Sequence, residues 1–139
     1  MQRFRSYLYK KYDVTKAYLF MGAFDIQRQD LYSVFQEYGY ILVFREHGIN
    51  FKGSKKGNVD TDIVFEMMRD ALTNDQLNKV ILVSGDGDYF RTVKFLRSID
   101  KLGKVLLPSH QNASSLYKQL SNQYFAFLDS SRVKKILEK

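Results

Sequence analysis

Apolar positions along the chain follow two different periods. Between residues 2 and 12, Phe4, Leu8 and Tyr12 recur every fourth position, with Tyr7 and Tyr9 beside them, which predicts a helix. Residues 17–23, AYLFMGA, are apolar without a break and predict a buried strand. Asp30 to Glu37 returns to helical spacing through Leu31, Val34 and Phe35, and Gly39 follows where a helix C-cap belongs. Tyr40 to Arg45, YILVFR, is a second β-rich run.

The segment 47–58, HGINFKGSKKGN, is rich in Gly and Lys and reads as a loop. In 59–73, Ile63, Val64, Met67, Met68 and Ala71 follow the i, i+3/i+4 rule of a one-sided helix. Val80 to Val83 is a short apolar strand after a turn at Thr73-Asn74-Asp75. A helix is expected from Asp88 onward through Phe90, Val93, Phe95, Leu96 and Ile99. A strand at Lys104 to Leu107 follows, then a helix from Asn112 to Leu120. A strand from Tyr124 to Leu128 and a helix from Ser130 to Glu138 end the chain.

Strands alternate with helices, and the strands are apolar on consecutive residues, the pattern of strands covered on both faces. The expected architecture is α/β, a mostly parallel sheet with helices on both faces, as one domain over residues 1–139. In such sheets ligands bind at the carboxyl ends of the strands.

That rule directs attention to Ser84-Gly85-Asp86-Gly87-Asp88, where the strand Val80–Val83 stops. The two glycines suit a tight turn. Asp88 suits the N-cap of the next helix, whereas a cap does not account for Asp86. A carboxylate beside a buried strand costs desolvation unless a cation or hydrogen-bond donors satisfy it. A second acidic group opens the 59–73 helix. Asp60 lies on its core side, where the helix dipole favours an acid. Asp62, Glu66 and Asp70 form a stripe at steps of four, and Glu66 at its centre is within reach of a metal. Such stripes are most often solvated faces.

Composition narrows the chemistry. With no cysteine there is neither disulfide nor thiolate site, which accords with a reducing, cytoplasmic location. The two histidines, His47 and His110, lie in predicted loops without zinc spacing and receive no role. Clustered carboxylates alone suit hard cations, Mg²⁺ or Mn²⁺. The net charge of +7 favours polyanionic partners, nucleic acid first. Lys52, Lys55 and Lys56, just before Asp60, are candidate phosphate contacts, although a lysine-rich loop is by default solvated. No apolar run reaches membrane-spanning length, so no membrane partner is expected. There is no Walker A loop and no GxSxG elbow, and GDGD lacks dinucleotide-site spacing.

Taken together, KGNVDTDIVFEMM (56–68), VILVSGDGDYFRTVKFLRSIDKLGKVLLPS (80–109) and NASSLYKQLSNQYFAFL (112–128) resemble the NYN domain family of the PIN-like ribonuclease superfamily. The resemblance covers nearly the whole chain. It implies a parallel sheet carrying an acidic pocket for Mg²⁺ or Mn²⁺, and hydrolysis of RNA by a metal-activated water. By this resemblance Asp60, Asp86 and Asp88 are catalytic acids and, with Glu66, metal ligands, while Ser84 contacts a metal water or phosphate. The family's opening strand, with its Asp-x-x-Asn motif, does not precede residues 2–25. The expectation is therefore a metal site lacking one acid. The strands around Tyr18 and Ile81 would then pair directly, leave open edges or recruit another copy as a homo-oligomer. Two readings stay open: a metal-dependent endoribonuclease, and a non-catalytic RNA-binding or assembly module on the same fold. A receiver-like or phosphatase reading is weaker, because a receiver's acidic pair follows its first strand rather than a late one.

Overall fold

The computed structural model describes residues 1–46 and 59–138; the loop expected at 47–58, with Lys52, Lys55, Lys56 and His47, lies outside them. The chain divides into two compact units, residues 1–63 with 136–139, and residues 64–135.

In the first unit, helix α1 (Gln2–Tyr12) stops where Asp13 enters the left-handed region at φ 58° and its N–H returns to the Leu8 and Tyr9 carbonyls. Arg5 ties this helix to the residues after it. Its Nη1 and Nη2 donate to the Val14 and Thr15 carbonyls, each at 3.0 Å, and its Nε donates to Gly39 O at 3.2 Å. Gly39 follows helix α2 (Gln29–Glu37) with φ +99°, a conformation L side chains avoid, as a residue just past a helix end requires. Strands β1 (Ala17–Met21) and β2 (Tyr40–Phe44) pair in parallel, Ala17 opposite Tyr40 and Met21 opposite Phe44. Phe24, Tyr32 and Phe44 pack as an aromatic cluster at the end of this pair, with ring centroids 4.8–5.5 Å apart.

Helix α3 (Val59–Thr73) runs between the bounds its periodicity predicts, burying Met67 and Ala71. In the second unit, strands β3 (Val80–Val83), β4 (Leu102–Leu107) and β5 (Phe125–Phe127) form a parallel sheet in that order. Helix α4 (Phe90–Ser98) connects β3 to β4 and packs on β4. The core lies here: Val93 and Leu96 of α4, Val105, Leu106 and Leu107 of β4, and Tyr117 are all essentially inaccessible. Helix α5 (Ser131–Glu138) closes the chain. Among the described residues, no helix is long and apolar enough to cross a membrane.

The elements are α/β and every strand pair is parallel, in two sheets. Two expectations change. Only β4 is buried along most of its length, while Tyr18, Ile41 and Val83 are exposed. A consecutive apolar run marks a strand without fixing whether both its faces are covered. Residues 112–120 hold a 3₁₀ turn, Ser115–Gln119, in place of a helix. Its apolar residues Leu116, Tyr117 and Leu120 are spaced as a helix face, yet only Tyr117 and Leu120 are buried. Among the described residues β1 pairs with β2, and β3 with β4.

Candidate functional site

Parallel pairing of β3, β4 and β5 brings three chain segments to one sheet edge: 84–88 after β3, 108–112 after β4 and 128–129 after β5. The β3 ladder extends one residue further, through Ser84 N–H to Leu106 O at 3.1 Å. The chain then turns through a relay of side-chain acceptors. Ser84 Oγ accepts the Asp86 N–H at 3.1 Å, and Asp86 Oδ1 accepts the Asp88 N–H at 2.9 Å.

The relay reverses the capping expected from the sequence. A 3₁₀ turn over Gly87–Tyr89 precedes α4, so Asp86 is the N-cap residue and Asp88 stands inside the first turn. The cap occupies only Oδ1. Asp86 Oδ2 and both Asp88 carboxylate oxygens take no hydrogen bond among the described residues, and both side chains are exposed. Their charge is favoured by the helix N-terminus they face. Ser84 retains its O–H proton for a further acceptor.

The glycines also serve a different end from the one expected. Neither Gly85 nor Gly87 has a positive φ. A Cβ on Gly85 would stand 3.1 Å from Ala113 Cα, and one on Gly87 would stand 2.7 Å from Ser114 Oγ. The segment Asn112–Ser114 presses directly on the turn, and Ser114 N–H donates to Gly85 O at 2.8 Å. Close approach of backbone, rather than turn geometry, requires the missing side chains.

Tyr117 completes the support and was not singled out from sequence. Its ring is fully buried, edge-on to Phe90 at 5.6 Å, and its hydroxyl donates to the Asp86 carbonyl. Burial, and then the charges of Asp86 and Asp88, push its phenol up to about 12, so it remains a donor at any ordinary pH. The available signal was a tyrosine at an apolar position, since a buried hydroxyl needs a partner.

These segments enclose an open cleft of about 410 Å³, with Gly85, Asp86 and Gly87 on one side and Pro108, Ser109, Asn112 and Ser114 on the other. The side chains lining it offer carboxylate, hydroxyl and carboxamide groups, with neither thiol nor thioether, a set that suits a hard cation.

The other acids divide. Asp60 is half-buried in the first turn of α3, as its core-side position implies. The stripe behind it is paired with arginine: Asp62 with Arg45 Nη1 at 3.3 Å, Glu66 with Arg69, and Asp70 with Arg69 Nε at 3.5 Å. Glu66, expected within reach of a metal, is held by Arg69 on its own helix. Lys52, Lys55 and Lys56 lie outside the described residues, but a different basic group appears. Arg91, Lys94 and Arg97 follow the acids at steps of three along the exposed side of α4.

The NYN domain model matches residues 1–129. The chain belongs to the NYN domain family, and through it to the PIN-like nuclease superfamily. NYN domains are typically metal-dependent and bind RNA. No curated protein and no solved structure matches the chain.

Proposed function

We propose that this chain is a metal-dependent endoribonuclease of the NYN type that hydrolyses RNA phosphodiesters. The observation that carries the reading is the turn after β3. Asp86, which lines the cleft, satisfies the helix cap with one oxygen and leaves the other open, and two residues on, the exposed Asp88 carboxylate is open as well. A capping role alone explains Oδ1 and leaves Oδ2 and Asp88 unused.

In this reading Asp86 and Asp88 each give one carboxylate oxygen to a Mg²⁺ or Mn²⁺ ion, and the family resemblance assigns Asp60 the same role. Glu66, already tied to Arg69, keeps that partner. A bound divalent cation supplies Lewis acidity toward a phosphate and makes water a better nucleophile at neutral pH. The chain's own groups do the rest. The Ser84–Asp86–Asp88 relay and the Tyr117 hydroxyl fix the turn and the Asp86 carboxylate in place, so little reorganisation of that group accompanies binding. The Ser84 O–H is a donor to a phosphate oxygen in the cleft. Arg91, Lys94 and Arg97 draw the polyanion in, together with Lys52, Lys55 and Lys56. A cysteine-free chain suits the reducing cytoplasm as the place of action.

The test is incubation of labelled single-stranded RNA with the protein, with and without Mn²⁺, beside Asp86→Asn. Cleavage that needs Mn²⁺ and disappears in Asp86→Asn is the expected result. RNA bound by the wild type and left intact under every divalent ion would establish the non-catalytic module instead.

A further inference from the structure

His110 lies between Ser109 and Asn112, two residues that line the cleft, yet its ring turns onto β5. The imidazole stacks on Phe127 with centroids 3.5 Å apart and planes within 13° of parallel. Phe127 is in turn met edge-on by Phe125 at 6.0 Å. Asp129 grips the same residue twice. Oδ2 accepts the His110 main-chain N–H at 2.9 Å, and Oδ1 meets ring Nδ1 at 2.5 Å. The hydrogen bond from the His110 main-chain N–H, and after it the ring's, hold the Asp129 carboxyl below the usual carboxylate range.

Bonding of the main-chain N–H by Asp129 is enough to tie down the turn after β4. It does not account for the ring. A side chain that remains 60% exposed is fixed about both of its torsions by a stack beneath and a carboxylate at one edge. The opposite face of the imidazole is open, and Nε2 has no partner among the described residues. A flat, pre-oriented ring with one open face, at the rim of a cleft, is a stacking surface of the kind that holds a base of single-stranded nucleic acid. Stacking on it is sequence-tolerant because every base has a π face, and the immobilised ring loses little further freedom on binding.

We propose that the open face of His110 is a platform for one base of a bound RNA strand, with the neighbouring phosphate over the Gly85–Gly87 side of the cleft. This rests on the RNA-binding part of the proposed function and adds a base subsite to it.

The test uses the whole chain with Ca²⁺ in place of Mn²⁺, the RNA checked on a gel as intact, and a fluorescein-labelled single-stranded RNA dodecamer read by anisotropy. His110→Ala is expected to weaken binding roughly 5- to 100-fold, the range for losing one aromatic platform. His110→Phe keeps a ring on Phe127 and is expected within about twofold of the wild type. In a dodecamer series with one abasic position moved along the strand, one register should lose affinity for the wild type and not for His110→Ala. Wild-type affinity in His110→Ala, equal losses in His110→Ala and His110→Phe, or no RNA binding by the wild type would each overturn the platform. The two readings separate cleanly. Binding through His110 without Mn²⁺-dependent cleavage removes the nuclease and keeps the platform. Asp86-dependent cleavage with unaltered binding in His110→Ala does the reverse.

Discussion

The hydroxyl of Tyr117 donates to the main-chain carbonyl of Asp86, joining two residues 31 apart in sequence and anchoring the acidic turn to the core from beneath. Tyr117→Phe keeps the ring and its edge contact with Phe90 but removes the donor. At neutral pH the loss is expected to be about 1–2 kcal/mol of stability, the cost of a part-buried carbonyl without its partner. The pH dependence is the sharper reading. The phenol ionises near 10.0 in an unfolded chain and only at about 12 in the fold. The unfolded state therefore loses its proton first. The stability this group contributes is complete below pH 10 and falls away as pH rises from 10 toward 12. Urea unfolding across that window should show a steeper decline in the wild type than in Tyr117→Phe. Parallel curves would mean that the hydroxyl is not so held.

A second expectation separates the two duties of Asp86. Asparagine caps a helix about as well as aspartate, so Asp86→Asn should unfold within about 0.5 kcal/mol of the wild type, whereas Asp86→Ala should lose about 1 kcal/mol. Both remove the oxygen offered to a cation. Mn²⁺ at a hundred times its dissociation constant should stabilise the wild type by about 2.7 kcal/mol and should leave both variants unmoved. A wild type whose melting temperature ignores Mn²⁺, or an Asp86→Asn that still responds, removes Asp86 from ion binding.

Periodicity made the elements legible where one face alone decides the structure. Helix α3 and strand β3 fall at Val59–Thr73 and Val80–Val83, as the apolar spacing predicts. It failed where tertiary contacts decide. Leu116, Tyr117 and Leu120 are spaced as on a helix, but Ser114 caps a 3₁₀ turn there and Tyr117 points to Asp86. The acids of the turn were visible because Ser-Gly-Asp-Gly-Asp ends an apolar run. Which of them is the cap was not, since that depends on whether the helical turn begins at Gly87 or a residue later. The roles of Gly85 and Gly87 were hidden for the same reason: the residues that crowd them are 27–29 positions downstream.

That crowding is itself testable. Gly87→Ala sets a methyl 2.7 Å from Ser114 Oγ and 3.1 Å from Ser114 Cβ, and is expected to cost about 1–3 kcal/mol through forced displacement of one segment. Ser114→Gly removes both atoms while losing only a few tenths of a kcal/mol as a cap. In that background Gly87→Ala should cost less than half as much, a coupling that a double-mutant cycle reads directly. Additive losses would place the strain in the Gly87 backbone, which has no positive φ to produce it.

The basic side of α4 gives the last expectation. Arg91, Lys94 and Arg97 are exposed and share one side of a helix that starts at the acidic turn. A strand whose phosphate enters the cleft would continue over them or away from them. If it continues over them, each neutralised phosphate adds about 0.7 to the slope of log affinity against log salt for a single strand. Replacing all three by alanine should then lower that slope by about 2 and weaken binding most at low salt. Stability should change little, because exposed arginine and lysine on a helix contribute mainly a few tenths of a kcal/mol through propensity. Affinity measured between low and physiological salt decides the matter. An unaltered slope in the triple variant sends the strand elsewhere and makes Lys52, Lys55 and Lys56 the next residues to replace.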